Sequence, residues 1–285
     1  MLMEYENKFC AFIDILGFKN LMLEGFDKAV QFYDRYMAYF NFMAKLDENI
    51  HNQIKDGYDL EHYIFSDSII ITSKNWNVFC QHIANTCSWM LEQGFLFRGG
   101  IGFGKIYDHS QFPDVKMVSE GLVEAVVLES TYAKYPRVLL SENALNEILK
   151  SVTNIHQVNQ LFMQCEDSRW CLNPFFLLPD IEPIIKMVNH KIAYYQGKTF
   201  VDKYEWLGEL INYCFYWSAE ASLEDYFTKS RFEKDVAEKV LCKTSFSSTL
   251  KFKFIYPRMY MQKKVDLRIY SQSFEENAEY ITSLD

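Results

Sequence analysis

Two aspartates stand alone in apolar stretches of this chain of 285 residues. Asp14 is the only acid within residues 9–18, and Asp67 lies between the two apolar halves of residues 62–72. A charge in a buried strand is costly unless it is paired or binds a cation. Two such carboxylates, together with substrate phosphates, are typical ligands of Mg²⁺ or Mn²⁺. Alternatively, Asp14 caps a loop at a strand end and Asp67 is an ordinary hairpin-turn residue.

Arg98 is the third residue that could do chemistry, because a guanidinium within a strand needs a carboxylate or phosphate partner. Its alternative role is a structural salt bridge. The glycine-rich residues 99–106 that follow nearly match a phosphate-binding P-loop. However, Ile106 stands where a P-loop has the Ser or Thr that binds Mg²⁺, and the next residues are typical of a turn, not of a helix. We therefore predict a glycine-rich strand pair at residues 95–107.

The elements that position these residues follow from the hydrophobic periodicity. We predict a buried strand over residues 8–15, a hairpin over 62–72 with Asp67 at its turn, the strand pair over 95–107, short strands at 137–140, 162–163 and 170–172, and a late strand within 245–262. We predict helices over residues 20–46, 75–93, 119–133 (with Ser119 as a candidate N-cap), 141–150, 181–195 and 201–217.

This order of elements predicts an α+β fold in which helices cover one face of a mostly antiparallel sheet. Residues 1–150 form the predicted catalytic core. Residues 151–285 are predicted to complete that core and to add an aromatic-rich helical extension, and composition marks the boundary only weakly.

Composition excludes several classes of protein. Twenty-nine basic against 38 acidic residues give a net charge of −9, which disfavours a nucleic-acid binder. No stretch is long and apolar enough to predict a membrane span, and the first residues lack a signal-peptide layout. Seven cysteines, with no CxxC pair, predict a reduced, cytoplasmic protein. No metal-binding His pattern and no Ser-nucleophile motif is present.

Four segments occur in the order of a known enzyme family: residues 12–18 (FIDILGF), 65–68 (FSDS), 98–104 (RGGIGFG) and 121–129 (GLVEAVVLE). This set resembles the class III nucleotidyl cyclase catalytic domain. Among its variants it is most similar to the pyrimidine nucleotide cyclases of bacterial Pycsar antiphage defence, which residues 133–138 (AKYPRV) also resemble. The resemblance covers about residues 8–140. It implies a ferredoxin-like cyclase core and a head-to-tail homodimer with composite active sites.

The resemblance implies a phosphate and metal site at the end of the first strand. Asp14, Asp67 and the backbone of Ile15 would hold two Mg²⁺ or Mn²⁺ ions. The turn of Leu16, Gly17 and Phe18 would meet the triphosphate. Arg98 matches the arginine that contacts the terminal phosphates.

The base-reading and transition-state positions differ from those of purine cyclases. Tyr63 replaces a base-selecting lysine, and Lys116 falls near the second base-reading position. Val123 and Val127 replace an Asn and an Arg that stabilise the transition state, and valine donates no hydrogen bond. Arg137, with Lys134 as a further candidate, would substitute for them.

The resemblance therefore implies a phosphorus–oxygen lyase. It would convert UTP or CTP to the 3′,5′-cyclic monophosphate and pyrophosphate, as second-messenger synthesis in antiphage defence. Two alternatives remain open. One is a degenerate cyclase-like module that binds nucleotide or acts as a scaffold, and the other is an adenylate or guanylate cyclase.

Overall fold

One mixed β-sheet organises the protein. The computed structural model describes residues 5–51, 59–108, 117–152, 161–165, 167–176, 181–212, 214 and 253–254. The strands within these ranges are β1 (Glu6–Leu16), β2 (Glu61–Phe65), β3 (Ser68–Ser73), β4 (Leu96–Asp108), β5 (Met117–Ser119), β6 (Val138–Leu140), β7 (Phe162–Gln164), β8 (Trp170–Leu172) and β9 (Lys253–Phe254). Their spatial order is β2-β3-β1-β4-β6-β8-β7-β9, with β5 paired to β4. All pairs are antiparallel except β4 with β6, so the predicted α+β class with a mostly antiparallel sheet is confirmed.

The order of the helices agrees with the prediction, except that one predicted helix is interrupted. They are α1 (Phe18–Glu24), α2 (Phe26–His51), α3 (Trp76–Glu92), α4 (Glu120–Tyr132), α5 (Glu142–Ser151), α6 (Glu182–Tyr194) and α7 (Val201–Asn212). The single helix predicted over residues 20–46 is two helices separated by Gly25, whose φ of 155° lies outside the helical region. Side-chain oxygens of Asn75, Ser119 and Ser141 accept hydrogen bonds from the first turns of α3, α4 and α5.

The strand pair predicted at residues 95–107 is wrong, because this segment forms one long strand. β4 pairs with the whole of β1, from Glu6 opposite Ile106 to Leu16 opposite Leu96. Continuous pairing with an 11-residue strand satisfies the backbone of β4 without a turn. The glycines of β4 therefore do not belong to a hairpin, and their role in the fold is a different one.

That purpose is to let α4 lie directly on the sheet. A side chain at Gly100 would collide with the Ala125 carbonyl, and one at Gly102 with the Gly121 carbonyl. Phe9, on the opposite face of the sheet, packs its ring against Phe79 of α3. Helices therefore flank both faces, which corrects the predicted one-sided layer.

The main core lies between the sheet and the helices on the α3 side. β1 alternates as a strand with one buried face should, with Ala11 and Ile13 fully buried and Asp14 half-buried. An aromatic cluster from α2 joins this core, where the Phe32 ring lies 4.1 Å from that of Phe95.

The sheet continues across the weak boundary predicted near residue 150. β7 and β8 form a hairpin whose strand β8 pairs with β6, and β9 lies within the predicted late strand. Of the predicted helical extension, the described residues include α6 and α7. Within the described ranges, no helix combines the length and the hydropathy that a membrane span requires.

Candidate functional site

The two isolated aspartates lie near each other, one on β1 and the other in the turn that leads into the neighbouring strand β3. Asp14 is near the end of β1 and pairs with Ser68, the first residue of β3. Asp67 is in the β2–β3 turn, where Ser66 adopts a positive φ of 55°. The Ile15 amide donates a hydrogen bond of 3.0 Å to the Asp67 carbonyl oxygen. The hairpin turn is thereby fixed beside the end of β1, close enough for the charge of Asp67 to act on Asp14.

Arg98 joins Asp14 to a second acid. Arg98 is directly opposite Asp14 on β4, and its Nε donates to Asp14 Oδ2 at 3.1 Å. The same Nε lies 2.6 Å from Oε1 of Glu129 on α4. The Asp14 and Glu129 side chains are 18% and 6% exposed, whereas Arg98 is 34% exposed and reaches the surface. One guanidinium therefore bridges a strand carboxylate and a helix carboxylate at the rim of the sheet.

Burial disfavours the ionised forms of Asp14 and Glu129, and neighbouring negative charge adds to its effect. Burial raises the pKa of Asp14 above its ordinary value, and the nearby charge of Asp67 raises it further, although Arg98 opposes both effects. Burial likewise raises the pKa of Glu129, and the charge of Asp14 adds to that effect while Arg98 opposes it. Fully ionised, these three acids and Arg98 carry a net charge of −2.

This charge and these donor atoms fit a divalent cation. Asp14 and Asp67 supply carboxylate oxygens, the ligands that Mg²⁺ and Mn²⁺ prefer, and both remain partly open to solvent. Glu129 is nearly covered and is held by Arg98, so it suits a ligand role less well. In the described part of the chain, no group of three or more His, Cys, Asp or Glu residues is arranged to hold a metal ion. A cation here would therefore depend on two carboxylates and on oxygens from a substrate.

The turn that is predicted to bind the triphosphate begins at the last residue of β1. Gly17 has a φ of 85°, a conformation that glycine adopts without strain, and it joins β1 to α1. Leu16 is partly buried, and the Phe18 side chain packs in the core with its ring 6.2 Å from that of Phe32. Only the backbone of this turn is therefore suited to meet a phosphate.

Tyr63 lies on the same sheet face as the acids. It pairs with Ile70, which pairs with Phe12, two residues before Asp14. Residues two apart along a strand share a face. Tyr63 thus lies on β2, at the edge of the described sheet, two residues along the strands from the level of Asp14. Lys116, the other predicted base reader, lies outside the described residues.

Arg137 is committed to a structural ion pair. Its guanidinium is buried and donates to both carboxylate oxygens of Asp167, at 3.2 and 2.7 Å, and to the Tyr132 carbonyl. Its predicted role in stabilising a transition state would require that this pairing be broken. Lys134, the other candidate, is exposed, with its Nζ 5.2 Å from the centre of the Tyr135 ring.

The outward side of α4 carries exposed valines. Val123 and Val127, which offer no hydrogen-bond donor, are 63% and 48% exposed, and Val126 is 37% exposed. We call these three residues the α4 strip. Glu120, Ser130 and Thr131 are exposed polar residues of the same helix.

Sequence reasoning missed Glu129. Its signal was available, because Gly121, Ala125 and Glu129 recur every four residues and all three are buried on the sheet-facing side of α4. Asp167, the partner of Arg137, was missed too. No local pattern links the two residues, which are 30 positions apart.

A comparison with protein families and with curated proteins finds no match to this chain.

Proposed function

We propose that this protein is a class III-type nucleotidyl cyclase that converts a pyrimidine nucleoside triphosphate, UTP or CTP, to its 3′,5′-cyclic monophosphate and pyrophosphate. The observation that carries the proposal is the meeting of Asp14, Asp67 and Arg98. Asp14 lies on β1, Asp67 lies in the turn just before the neighbouring strand β3, and Arg98 is directly across from Asp14 on β4. The sequence resemblance assigns these three positions to metal and phosphate binding, so fold and resemblance point to the same place.

Each residue has a distinct task in this scheme. Asp14 and Asp67, with the Ile15 backbone, would hold two divalent cations. Those ions would lower the pKa of the ribose 3′-hydroxyl and neutralise the triphosphate. When Asp14 binds a cation, Arg98 keeps its ion pair with Glu129. The terminal guanidinium nitrogens of Arg98 then contact the β- and γ-phosphates as pyrophosphate leaves. Tyr63 contacts the base with a hydroxyl that differs from the lysine of purine cyclases.

The α4 strip supports a homodimer with composite sites. An apolar surface on an exposed helix is favourable when another surface covers it. In the head-to-tail arrangement that the resemblance implies, α4 of one protomer faces the metal-bearing site of its partner. The strip then excludes water from the reacting phosphates. The protein acts in the cytoplasm in this scheme.

A second candidate function is nucleotide binding without turnover. Val123 and Val127 offer no donor to a developing charge, and Arg137 is occupied by Asp167. Losing one preorganised donor commonly costs about 10²–10³ in rate. A chain without such a donor retains the acids and Arg98 and can still bind a metal–nucleotide complex.

The deciding experiment measures turnover of all four nucleoside triphosphates with Mn²⁺ by chromatography and mass spectrometry. We expect cyclic UMP or cyclic CMP from the native protein and none from Asp67→Asn. Asp34→Asn is the matched control, because Asp34 is an exposed acid on α2 and should leave activity unchanged.

Three outcomes contradict the proposal in different ways. Calorimetric binding of a nucleoside triphosphate without product favours the binding module. A cyclic purine product identifies a purine cyclase. Equal activity of the Asp67→Asn variant and the native protein places the chemistry elsewhere in the chain.

A further inference from the structure

We infer that Cys165 and Cys171 are a redox modification site that forms a reversible intramolecular disulfide on reaction with a hydroperoxide. The two sulfurs lie 3.0 Å apart in the β7–β8 hairpin. This site is separate from the acidic cluster and does not depend on the proposed cyclase chemistry. None of the cysteines in the described ranges is bridged in the structure.

The hairpin itself holds the two thiols together. Cys171 pairs with Met163 on β7, and Cys165 follows the end of that strand, diagonally across from Cys171. The Cys165 amide donates to the Arg169 carbonyl at 2.8 Å, and the Ser168 amide donates to the Cys165 carbonyl at 2.9 Å. The sulfurs need to approach by about 1 Å to reach a disulfide bond length of about 2.05 Å.

A buried cation, Arg137, interacts with both cysteines. Burial lowers the pKa of Arg137, but charge interactions with Cys165 and Cys171 and the Asp167 ion pair together raise it above its ordinary value. Elsewhere in the described ranges, burial raises the pKa of Cys10 to about 11 and that of Cys87 well above its ordinary value, which disfavours their reactive thiolate forms.

The oxidation balances with a hydroperoxide as the only co-reactant. The Cys165 sulfur, 4% exposed against 1% for Cys171, gives up its proton and attacks the terminal peroxide oxygen. The O–O bond breaks, the alkoxide leaves as alcohol after taking a proton, and Cys165 becomes a sulfenic acid. The Cys171 sulfur then displaces water from that sulfenic acid to form the S–S bond. Two thiols and one hydroperoxide thus give one disulfide, one alcohol and one water.

The bond would stiffen a turn that contacts α4. Arg169 lies between the two cysteines, and its guanidinium carbon is 3.8 Å from the centre of the Tyr132 ring on α4. Asp167 in the same turn holds Arg137. Both turn residues line a cleft of about 730 Å³ between α4, α5 and the hairpin. Oxidation at the hairpin would therefore act on the surroundings of α4.

The test is a peptide map of the full-length protein after limited treatment with hydrogen peroxide and alkylation of the remaining thiols. We expect one disulfide between Cys165 and Cys171, a loss of two hydrogens from the intact mass, and full reversal by dithiothreitol. Cys171→Ser should lose the disulfide and proceed to sulfinic acid at Cys165. Cys10→Ser is the matched control and should retain the disulfide.

Other outcomes overturn the assignment. A bridge to Cys214, whose charge interacts with that of Cys165, would show that the wrong pair was chosen. Oxidation of Cys10 before any bridge forms would show that the hairpin thiols are not reactive. The map of the native protein decides between these results even if a serine variant fails to fold.

Discussion

At the scale of single residues, the most consequential arrangement is the shared guanidinium of Arg98. It compensates two carboxylates that burial would otherwise drive towards their neutral forms. A buried carboxylate that loses its only cation is expensive, and neutralising that carboxylate relieves the cost. Asp14, Arg98 and Glu129 should therefore behave as one energetic unit, whatever their role with a ligand.

The first prediction at this scale is a coupling between Arg98 and Glu129. Arg98→Ala should lower the free energy of unfolding by about 1–3 kcal/mol, because it leaves Glu129 charged and covered. Adding Glu129→Gln should recover part of that loss, with a coupling of about 1–2 kcal/mol measured by urea unfolding. Single effects that add within about 0.5 kcal/mol would contradict a shared ion-pair network.

A second residue-scale prediction concerns a histidine pair. His62 Nε2 and His82 Nε2 are 2.8 Å apart. Burial lowers the pKa of His62 to about 3, with the charge of His82 contributing, and burial lowers that of His82 to about 4. The unfolded chain then binds protons below about pH 6.5 while the folded chain does not. Stability should therefore fall from pH 6.5 towards pH 4, with a slope of up to about 1.4 kcal/mol per pH unit for each histidine.

His82→Gln should flatten this slope in urea unfolding measured across that pH window. His190→Gln is the control, because His190 is exposed on α6. If both variants keep the native slope, the acid sensitivity has another source.

At the scale of elements, the contact of α4 with β4 decides where the site forms. α4 carries Glu129 and the α4 strip, while β4 carries Arg98. Gly100 and Gly102 bring the two elements together, because their missing side chains leave room for the helix backbone. The glycine-rich segment is thus a helix-packing surface that aims Glu129 at Arg98.

We predict that Gly102→Ala displaces α4 and lowers the free energy of unfolding by about 1–3 kcal/mol, as overpacking does. The added Cβ would meet the Gly121 carbonyl and lie 2.8 Å from the Glu124 Cβ. Val123→Ala on the exposed side of the same helix should change stability by less than about 0.5 kcal/mol. Equal effects of the two variants in chemical denaturation would contradict this close packing.

At the scale of the whole molecule, the α4 strip predicts self-association. Val123→Lys and Val127→Lys should convert a dimer to a monomer and abolish nucleotide turnover together, because a charge on an apolar interface is costly. Light scattering coupled to size-exclusion chromatography measures the mass. Val30→Lys, at another exposed apolar position on α2, should leave the dimer intact. A native protein that runs as a monomer at micromolar concentration would refute the composite site.

Local sequence patterns are enough to predict the local elements. Strand β1, the β2–β3 hairpin with Asp67 in its turn and the Ser119 cap of α4 each depend on side chains within a few positions, so periodicity and turn chemistry predict them. The family resemblance also stays with the sequence, and the enzyme it implies remains a prediction until turnover is measured.

How distant segments meet depends on tertiary contacts that no local pattern contains. Pairing with β1 made residues 96–108 one strand, and close helix packing brought Glu129 to Arg98 across 31 positions. The Arg137 pair with Asp167 and the contact of Cys165 with Cys171 likewise depend on strand pairing. The free energy of strand pairing and helix packing comes from contacts between residues that are far apart in the chain. A pattern of a few neighbouring residues therefore cannot predict which distant residues will meet.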